Sequence, residues 1–334
     1  MTIVLYVLII FCSINCSTKN DDVSPEQFCG IYEGSIYLRT MIEIENFAQC
    51  NYTEITGSLS ILDANLQNLI TSISGLSSLR KIGGSLSLFN LRALESLNGL
   101  ENIESVGGSI NISDTFSLVN LNEIDRMQAN SVALHNNLAL QNIDALDMNN
   151  EELATISITE NPLLTNLNCF NNIKTLRNAL IIEENNSLTD LSGLGSIEIV
   201  GLNNSSVTCC SGALRIRDNA NLTSLNGLDN LTLVKGGINI KYNLYLNNLD
   251  AISNLEELQG DLYIGDNLSL PNIDGLKNLM IINGDITIGD NPLLARFCGL
   301  QNLFLNNGLT GDYEVFNNFF NPAPNNILNA PPCN

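Results

Sequence analysis

Cationic side chains are scarce: 14 lysines and arginines stand against 35 aspartates and glutamates, for a formal net charge of −21 over 334 residues. Binding to a phosphate backbone depends on cationic side chains and counterion release, so this balance argues against nucleic acid as a partner. Histidine occurs once, as His135, which leaves little material for imidazole catalysis. Beyond the first dozen residues, no apolar run reaches the about 18 residues that a spanning helix needs. The closing NPAPNNILNAPPCN offers no hydrophobic tail for a lipid anchor. No transmembrane segment and no cofactor are expected.

What is present is apolar and ordered. At 44% hydrophobic residues the chain has ample material for a packed interior. The opening MTIVLYVLIIFCSINCSTKN carries an apolar core from about Ile3 to Phe11, too short to span a bilayer and followed by small and polar residues. It reads as a secretory signal over residues 1–17, with a short linker over 18–28. Lipid anchoring at the cell surface through Cys16 is the alternative.

Internal repetition dominates the remainder. Pairs written apolar-x-apolar recur as Leu59/Ile61, Leu86/Leu88, Ile110/Ile112, Val132/Leu134, Ile156/Ile158, Leu180/Ile182, Leu214/Ile216, Ile238/Ile240, Leu262/Ile264, Ile286/Ile288 and Tyr313/Val315. Most steps are 24 residues; the exceptions are 27, 22, 34 and 27. Two apolar residues about one exposed residue suit a very short strand. Between strands the apolar residues fall at every third position, as in Leu270, Ile273, Leu276, Leu279 and Ile282. That spacing is neither helical nor strand-like, and it suits a tight coil that turns one side chain inward per step. A circuit of 24 residues rising about 4.8 Å would stack the strands into a parallel sheet. The expected fold is mainly β: a parallel β-helix or leucine-rich-repeat-like solenoid of about 11 coils.

An asparagine column accompanies the strands. Asn137, Asn161, Asn185, Asn219, Asn243, Asn267, Asn291 and Asn318 each lie three residues after the second strand residue. Asparagine at a tight corner tolerates left-handed dihedrals, and stacked amides bond from coil to coil. An inward ladder is expected.

The stretch CNYTEITGSLSI, from Cys50 to Ile61, resembles the first coil of the receptor L domain found in the extracellular parts of the epidermal growth factor and insulin receptors. Upstream, SIYLRTMIEIENFAQ can form an amphipathic helix between Cys29 and Cys50, similar to the disulfide-tied helical cap with which L domains begin. LESLNGLENIESVGGSINI and LTSLNGLDNLTLVKGGINI resemble later coils. The unit is also similar to the leucine-rich repeat, although Asn-x-x-Leu replaces Asn-x-Leu and no convex helix is evident. The resemblance covers residues 29–334 and implies a right-handed solenoid with a helical N-cap over 29–50, coils over 51–296 and a capping coil over 297–334. It also implies a Cys29–Cys50 bridge and an extracellular recognition surface; receptor signalling does not carry over.

Seven cysteines follow the signal and suit an oxidising compartment. Cys298 and Cys333 bracket the atypical last coil and are expected to tie it. Cys169, Cys209 and Cys210 form an odd set: one of the latter two reaches Cys169, or they join each other, and a thiol is left over. With no histidine near them in sequence, a metal site is not expected. Candidate glycosylation sequons stand at Asn51, Asn111, Asn203, Asn204, Asn221 and Asn230; all of these but Asn51 are expected to face water, whereas the sequons at Asn185 and Asn267 belong to the inward column.

Catalysis finds little support, since His135 falls at an outward position. Carboxylates at Asp114, Glu160, Glu184, Asp218, Asp266 and Asp290 recur one position before the column. Stacked carboxylates could hold Ca²⁺, but solvated turn residues are the expected reading. Polysaccharide-lyase chemistry on an acidic sugar is opposed by the net charge. Outward strand residues Leu62, Phe89, Arg215, Arg217, Lys241 and Tyr263 form the candidate binding face, with the basic trio either receiving an acidic group or paired with neighbouring acids. The expectation is a secreted, non-catalytic recognition or adhesion protein with an unknown extracellular protein or glycan partner. The alternatives are a self-associating surface or matrix component and a β-helix carbohydrate-active enzyme.

Overall fold

The structure, a computed structural model, describes residues 30–63, 67, 69–125, 127–146, 148, 150–203 and 213–331. Cys29, Asn204, Cys209, Cys210, Cys333 and the expected signal and linker lie outside the described residues.

The described chain is mainly β and its sheets are parallel. A path of twelve strands runs from Ile36–Leu38 and Leu59–Leu62 to Ile286–Gly289 and Tyr313–Phe316, each pairing with the next in chain order. All eleven apolar pairs lie in register: Leu59 sits opposite Leu86, Leu262 opposite Ile286, and Ile288 opposite Val315. Leu180 meets Leu214 despite the 34-residue step, so the ten-residue insertion leaves the register intact. The alternation is clean: Leu214 and Ile216 are wholly buried, while Arg215 and Arg217 between and after them are half-exposed. Each buried Leu or Ile contributes about 1.5–3 kcal/mol of transfer free energy before its ordering cost is counted.

The first strand corrects the sequence reading. Ser35–Gln49 is not one helix: Ile36 and Leu38 alternate inward and extend the sheet opposite Leu59 and Ile61. The helix α1 is confined to Met41–Ala48 because Thr40, extended at φ −145°, caps it. The Thr40 hydroxyl accepts from the Glu43 N–H and the Glu43 carboxylate accepts from the Arg39 N–H. Ile44 and Phe47 of α1 are buried, and Phe47 joins Tyr32 and Tyr52 in an aromatic cluster over the first repeat. At the other end, α2 (Gln301–Leu305) and α3 (Pro324–Leu328) cover the last repeat. The Gln301 side chain donates to carbonyls at the end of α3, and Ile327 is buried.

A second row of two-residue strands was not foreseen. Ile31–Tyr32, Glu54–Ile55, Lys81–Ile82 and Ser105–Val106 form a four-stranded parallel sheet. Ile199–Val200, Leu233–Val234, Glu257–Leu258 and Ile281–Ile282 continue the pattern and join the long sheet through Thr175–Glu183. Short 3-10 turns such as Asp250–Ile252 and Asp274–Leu276 occupy the stretch between the column and this row.

Eighteen of the chain's 52 asparagines fall into three rows. In the inward row, Asn137, Asn161, Asn185, Asn219, Asn243, Asn267 and Asn291 are wholly buried and Asn318 is nearly so. Each main-chain N–H donates to the amide oxygen of the next asparagine, at 3.2 Å for Asn137 to Asn161 and 3.1 Å for Asn219 to Asn243. The amide nitrogen donates back to a strand carbonyl, as Asn219 does to Ile182 at 2.9 Å. Thr115 begins the row by donating to Asn137, and Asn321 ends it by accepting from Asn318. In a second row, Asn120, Asn142, Asn166, Asn248 and Asn272 accept from the N–H two residues on. In a third, Asn102, Asn230, Asn254, Asn278 and Asn302 donate to a carbonyl of the preceding repeat.

The left-handed corner sits one residue earlier than expected. Asp114, Glu160, Glu184, Asp218, Asp266 and Asp290 have φ between 55° and 60°, whereas the column asparagines do not. The column residue is occupied by coil-to-coil bonding, so the bend falls on the residue before it.

Candidate binding face

The outward side of the long sheet is built by its pleat. From Ser109 to Phe316 its outward side chains are half-exposed or exposed, apart from Gly265 and Gly289. The six residues expected to form a face divide into two groups. Leu62 and Phe89 are register partners near the start of the sheet. Arg215, Arg217, Lys241 and Tyr263 lie on three consecutive strands several repeats away, with Arg217 opposite Lys241.

The basic trio is internally paired. Arg215 meets the Glu183 carboxylate through Nη2 at 2.6 Å and Nε at 3.0 Å, with side-chain exposures of 26% and 18%. Arg217 lies 3.9 Å from both Glu183 and Asp218, and Lys241 lies 3.4 Å from Asp266. Of the two readings of the trio, pairing with neighbouring acids is what the geometry holds. Glu183 was missing from the sequence reading because its partner is 32 residues away, across the insertion.

Aromatic groups complete the patch. The Lys241 ammonium stands 4.4 Å from the Tyr242 ring centroid and 5.1 Å from that of Tyr263, whose hydroxyl is 3.2 Å from Nζ. Burial works against the lysine's charge, but hydrogen bonding to Tyr242, Tyr263 and Asp266 outweighs it and raises its pKa. The Tyr263 ring lies over Gly265: a Cβ there would come within 2.7 Å of it, and one on Gly289 within 2.5 Å of the Phe316 ring. Outward glycines let these rings lie against the sheet. The result is a charge-compensated surface with flat aromatic faces, suited to stacking and hydrogen bonding.

The carboxylate row beside the ladder is set by the left-handed corner its residues occupy. Burial, then the charges of Glu160 and Asp218, raise the Glu184 pKa; burial raises Asp218, with Arg217 opposing. Among the described residues no group of three or more His, Cys, Asp or Glu side chains is placed to hold a metal ion. His135 is exposed, with Nδ1 2.8 Å from the Thr159 hydroxyl and 3.6 Å from Glu160. One ring nitrogen facing both groups does not make a relay.

Asn203, Asn221 and Asn230 are exposed, while Asn51 and Asn111 are half-buried. Asn221 and Asn230 each commit an amide N–H to a carbonyl, of Asn186 at 2.7 Å and Gly195 at 2.6 Å. Asn185 and Asn267 are sealed inside. Cys298 is disulfide-bonded to a partner outside the described residues. Cys50 is a half-buried free thiol, and the bridge expected of it falls on Cys29, outside the described residues. Cys169 is buried, and its expected partners are likewise outside. No helix among the described residues is long and apolar enough to cross a membrane. No protein-family model matches the chain, and no curated protein matches it significantly.

Proposed function

We propose that the chain is a secreted, non-catalytic recognition or adhesion protein that binds an extracellular protein or glycan through the outward face of its long sheet. The repeats wind as a solenoid of receptor L-domain type. In-register parallel pairing at 24-residue steps, an N-terminal helix over the first repeat and the right-handed preference of parallel crossovers support that reading. The observation that carries the function is the patch of Tyr242, Lys241, Tyr263 and Phe316. It is aromatic and charge-compensated, on a sheet face that the described residues leave half-exposed, in an otherwise strongly acidic chain. Aromatic side chains at the centre of a contact dominate most recognition energetics.

The test is a binding screen of the intact chain against glycan and extracellular-protein arrays, repeated with Tyr263→Ala and Lys241→Ala. Each substitution is expected to weaken a genuine hit at least about tenfold without moving the melting temperature. Hits that ignore both substitutions would remove the face from the reading. Concentration-dependent assembly without hits would favour the self-associating alternative.

A further inference from the structure

Beside the long sheet, the repeats headed by Asn137 to Asn291 make a tight turn immediately after the ladder asparagine. The N–H three residues on donates to the asparagine's own carbonyl, as Leu246 does to Asn243, Leu270 to Asn267 and Leu294 to Asn291 at 3.0–3.2 Å. At Asn318 the Asn321 side-chain amide donates to the same carbonyl at 3.3 Å. The two residues in the middle of such a turn are pushed outward. In the repeats headed by Asn185 and Asn219 they are polar or small: Asn186 and Ser187, then Ala220 and Asn221.

The turns after Asn137 and Asn161 carry one exposed leucine each, Leu138 and Leu163. The polar pair of repeats separates them from the last four repeats, where exposed apolar residues run without interruption. Their turns carry Leu244 (40% exposed), Tyr245 (57%), Leu268 (47%), Leu293 (54%), Phe319 (75%) and Phe320 (47%). The ladder bonds Asn243–Asn267, Asn267–Asn291 and Asn291–Asn318 fix these turns as immediate neighbours. At about 4.8 Å per repeat the side chains form one stripe about 14 Å long. Its far end opens into a cleft of about 390 Å³ bordered by Phe297, Phe320, Pro322 and Ile327. A contiguous exposed apolar surface with an adjoining pocket is the anatomy of an interaction site, not of scattered surface leucines.

Charge identifies the occupant. Residues 218–331 carry twelve aspartates and glutamates against four lysines and arginines. Asp290 flanks the stripe one residue before the ladder and Asp250 opens the 3-10 turn beyond it. Asp266 and Asp274, at the equivalent positions, are paired with Lys241 at 3.4 Å and Arg296 at 2.6 Å, so the acidic field is that of the remaining, surplus carboxylates. A second copy would bring the same carboxylates and another net charge of −21 against this field. An anionic membrane surface is repelled in the same way. We infer that the stripe docks a cationic polypeptide segment with one apolar face, whose basic side chains meet the acidic rim while its apolar residues cover the leucines and phenylalanines. The stripe lies on the turns, so the inference stands independently of the sheet face.

The experiment uses the intact chain and two synthetic 18-residue peptides. One is patterned with leucine and lysine to give a single apolar face; in the other serine replaces every leucine at the same charge. Titration calorimetry in about 0.15 M salt is expected to give at least tenfold tighter binding of the leucine peptide. Leu268→Ser with Leu293→Ser should abolish that preference. Leu138→Ser with Leu163→Ser, the same turn positions in distant repeats, should leave it intact. All these side chains are exposed, so melting temperatures serve as the folding control. Equal binding of both peptides, or indifference to the stripe substitutions, would reduce the effect to bulk charge and overturn the inference. Stripe-dependent dimerisation of the wild-type chain, or stripe-dependent binding to anionic vesicles, would overturn it in favour of those occupants.

Discussion

Asn219→Ala is expected to destabilise the protein by about 3 kcal/mol or more, several times the effect of Asn248→Ala. Both residues are asparagines in repeating positions, and their surroundings decide the difference. Asn219 is wholly buried, accepts from the Asn185 N–H at 3.0 Å and donates to the carbonyls of Ile182 and Arg217, each at 2.9 Å. Removing its amide leaves the Asn185 N–H without an acceptor inside the core, which alone costs about 1–3 kcal/mol, and a small void adds to it. Asn248 is only half-buried and bonds locally, accepting from the Asp250 N–H at 3.1 Å and donating to the Asn247 amide oxygen at 2.7 Å, contacts worth about 0.5–1.5 kcal/mol each and replaceable by water. Chemical denaturation of both variants measures the contrast. Because stacked repeats unfold in segments, the loss should appear first as local opening around Asn185–Asn243, by hydrogen exchange. Equal effects of the two substitutions would mean that the inward row does not bear on stability.

Gly227→Ala is expected to be still more damaging, above about 4 kcal/mol, and to reduce soluble expression. Gly227 has φ +107°, a region that an L side chain adopts only under strain. A Cβ there would stand 1.9 Å from the Leu191 carbonyl oxygen and 2.3 Å from its carbon, both main chain of the preceding repeat. Neither can move without breaking the stack, since the Leu191 N–H already donates to the Asn226 carbonyl at 2.8 Å. Gly195→Ala is the control: no heavy atom lies within 4 Å of its Cβ position, and the change should stay within about 0.5 kcal/mol. Thermal melting of both variants distinguishes a repeat-to-repeat contact from a general intolerance of alanine.

The long sheet was legible in the sequence because its signal is periodic. Alternating pairs at 24-residue steps fix which residues face inward, and the ten-residue insertion at 201–210 displaces the count without changing the alternation. The inward asparagines were legible for the same reason. What escaped was information carried by single contacts or very short elements. Ile36–Leu38 precedes a helix whose own amphipathic pattern runs into it, and only the Thr40 cap separates them. Two-residue strands such as Leu233–Val234 carry no period at all. The left-handed corner was assigned to the column asparagine although it belongs to Asp218, Asp266 and their counterparts, because both positions recur at the same interval. In the binding face, the periodicity located Arg215, Arg217, Lys241 and Tyr263. It could not show that Glu183 and Asp266 neutralise the cations, nor that Gly265 and Gly289 make room for aromatic rings. Side-chain reach across repeats depends on rotamers, which a linear pattern does not encode.

Side-chain amide exchange is the most direct measurement of the stacked interior. With ¹⁵N-labelled asparagine, the amides of Asn137, Asn161, Asn185, Asn219, Asn243, Asn267 and Asn291 should exchange with D₂O at least about a thousandfold slower than the exposed amides of Asn254 and Asn278. Seven protected side chains assigned to those positions are the predicted result; exchange of the same seven at the rate of the exposed pair would contradict a shared interior lined by asparagine.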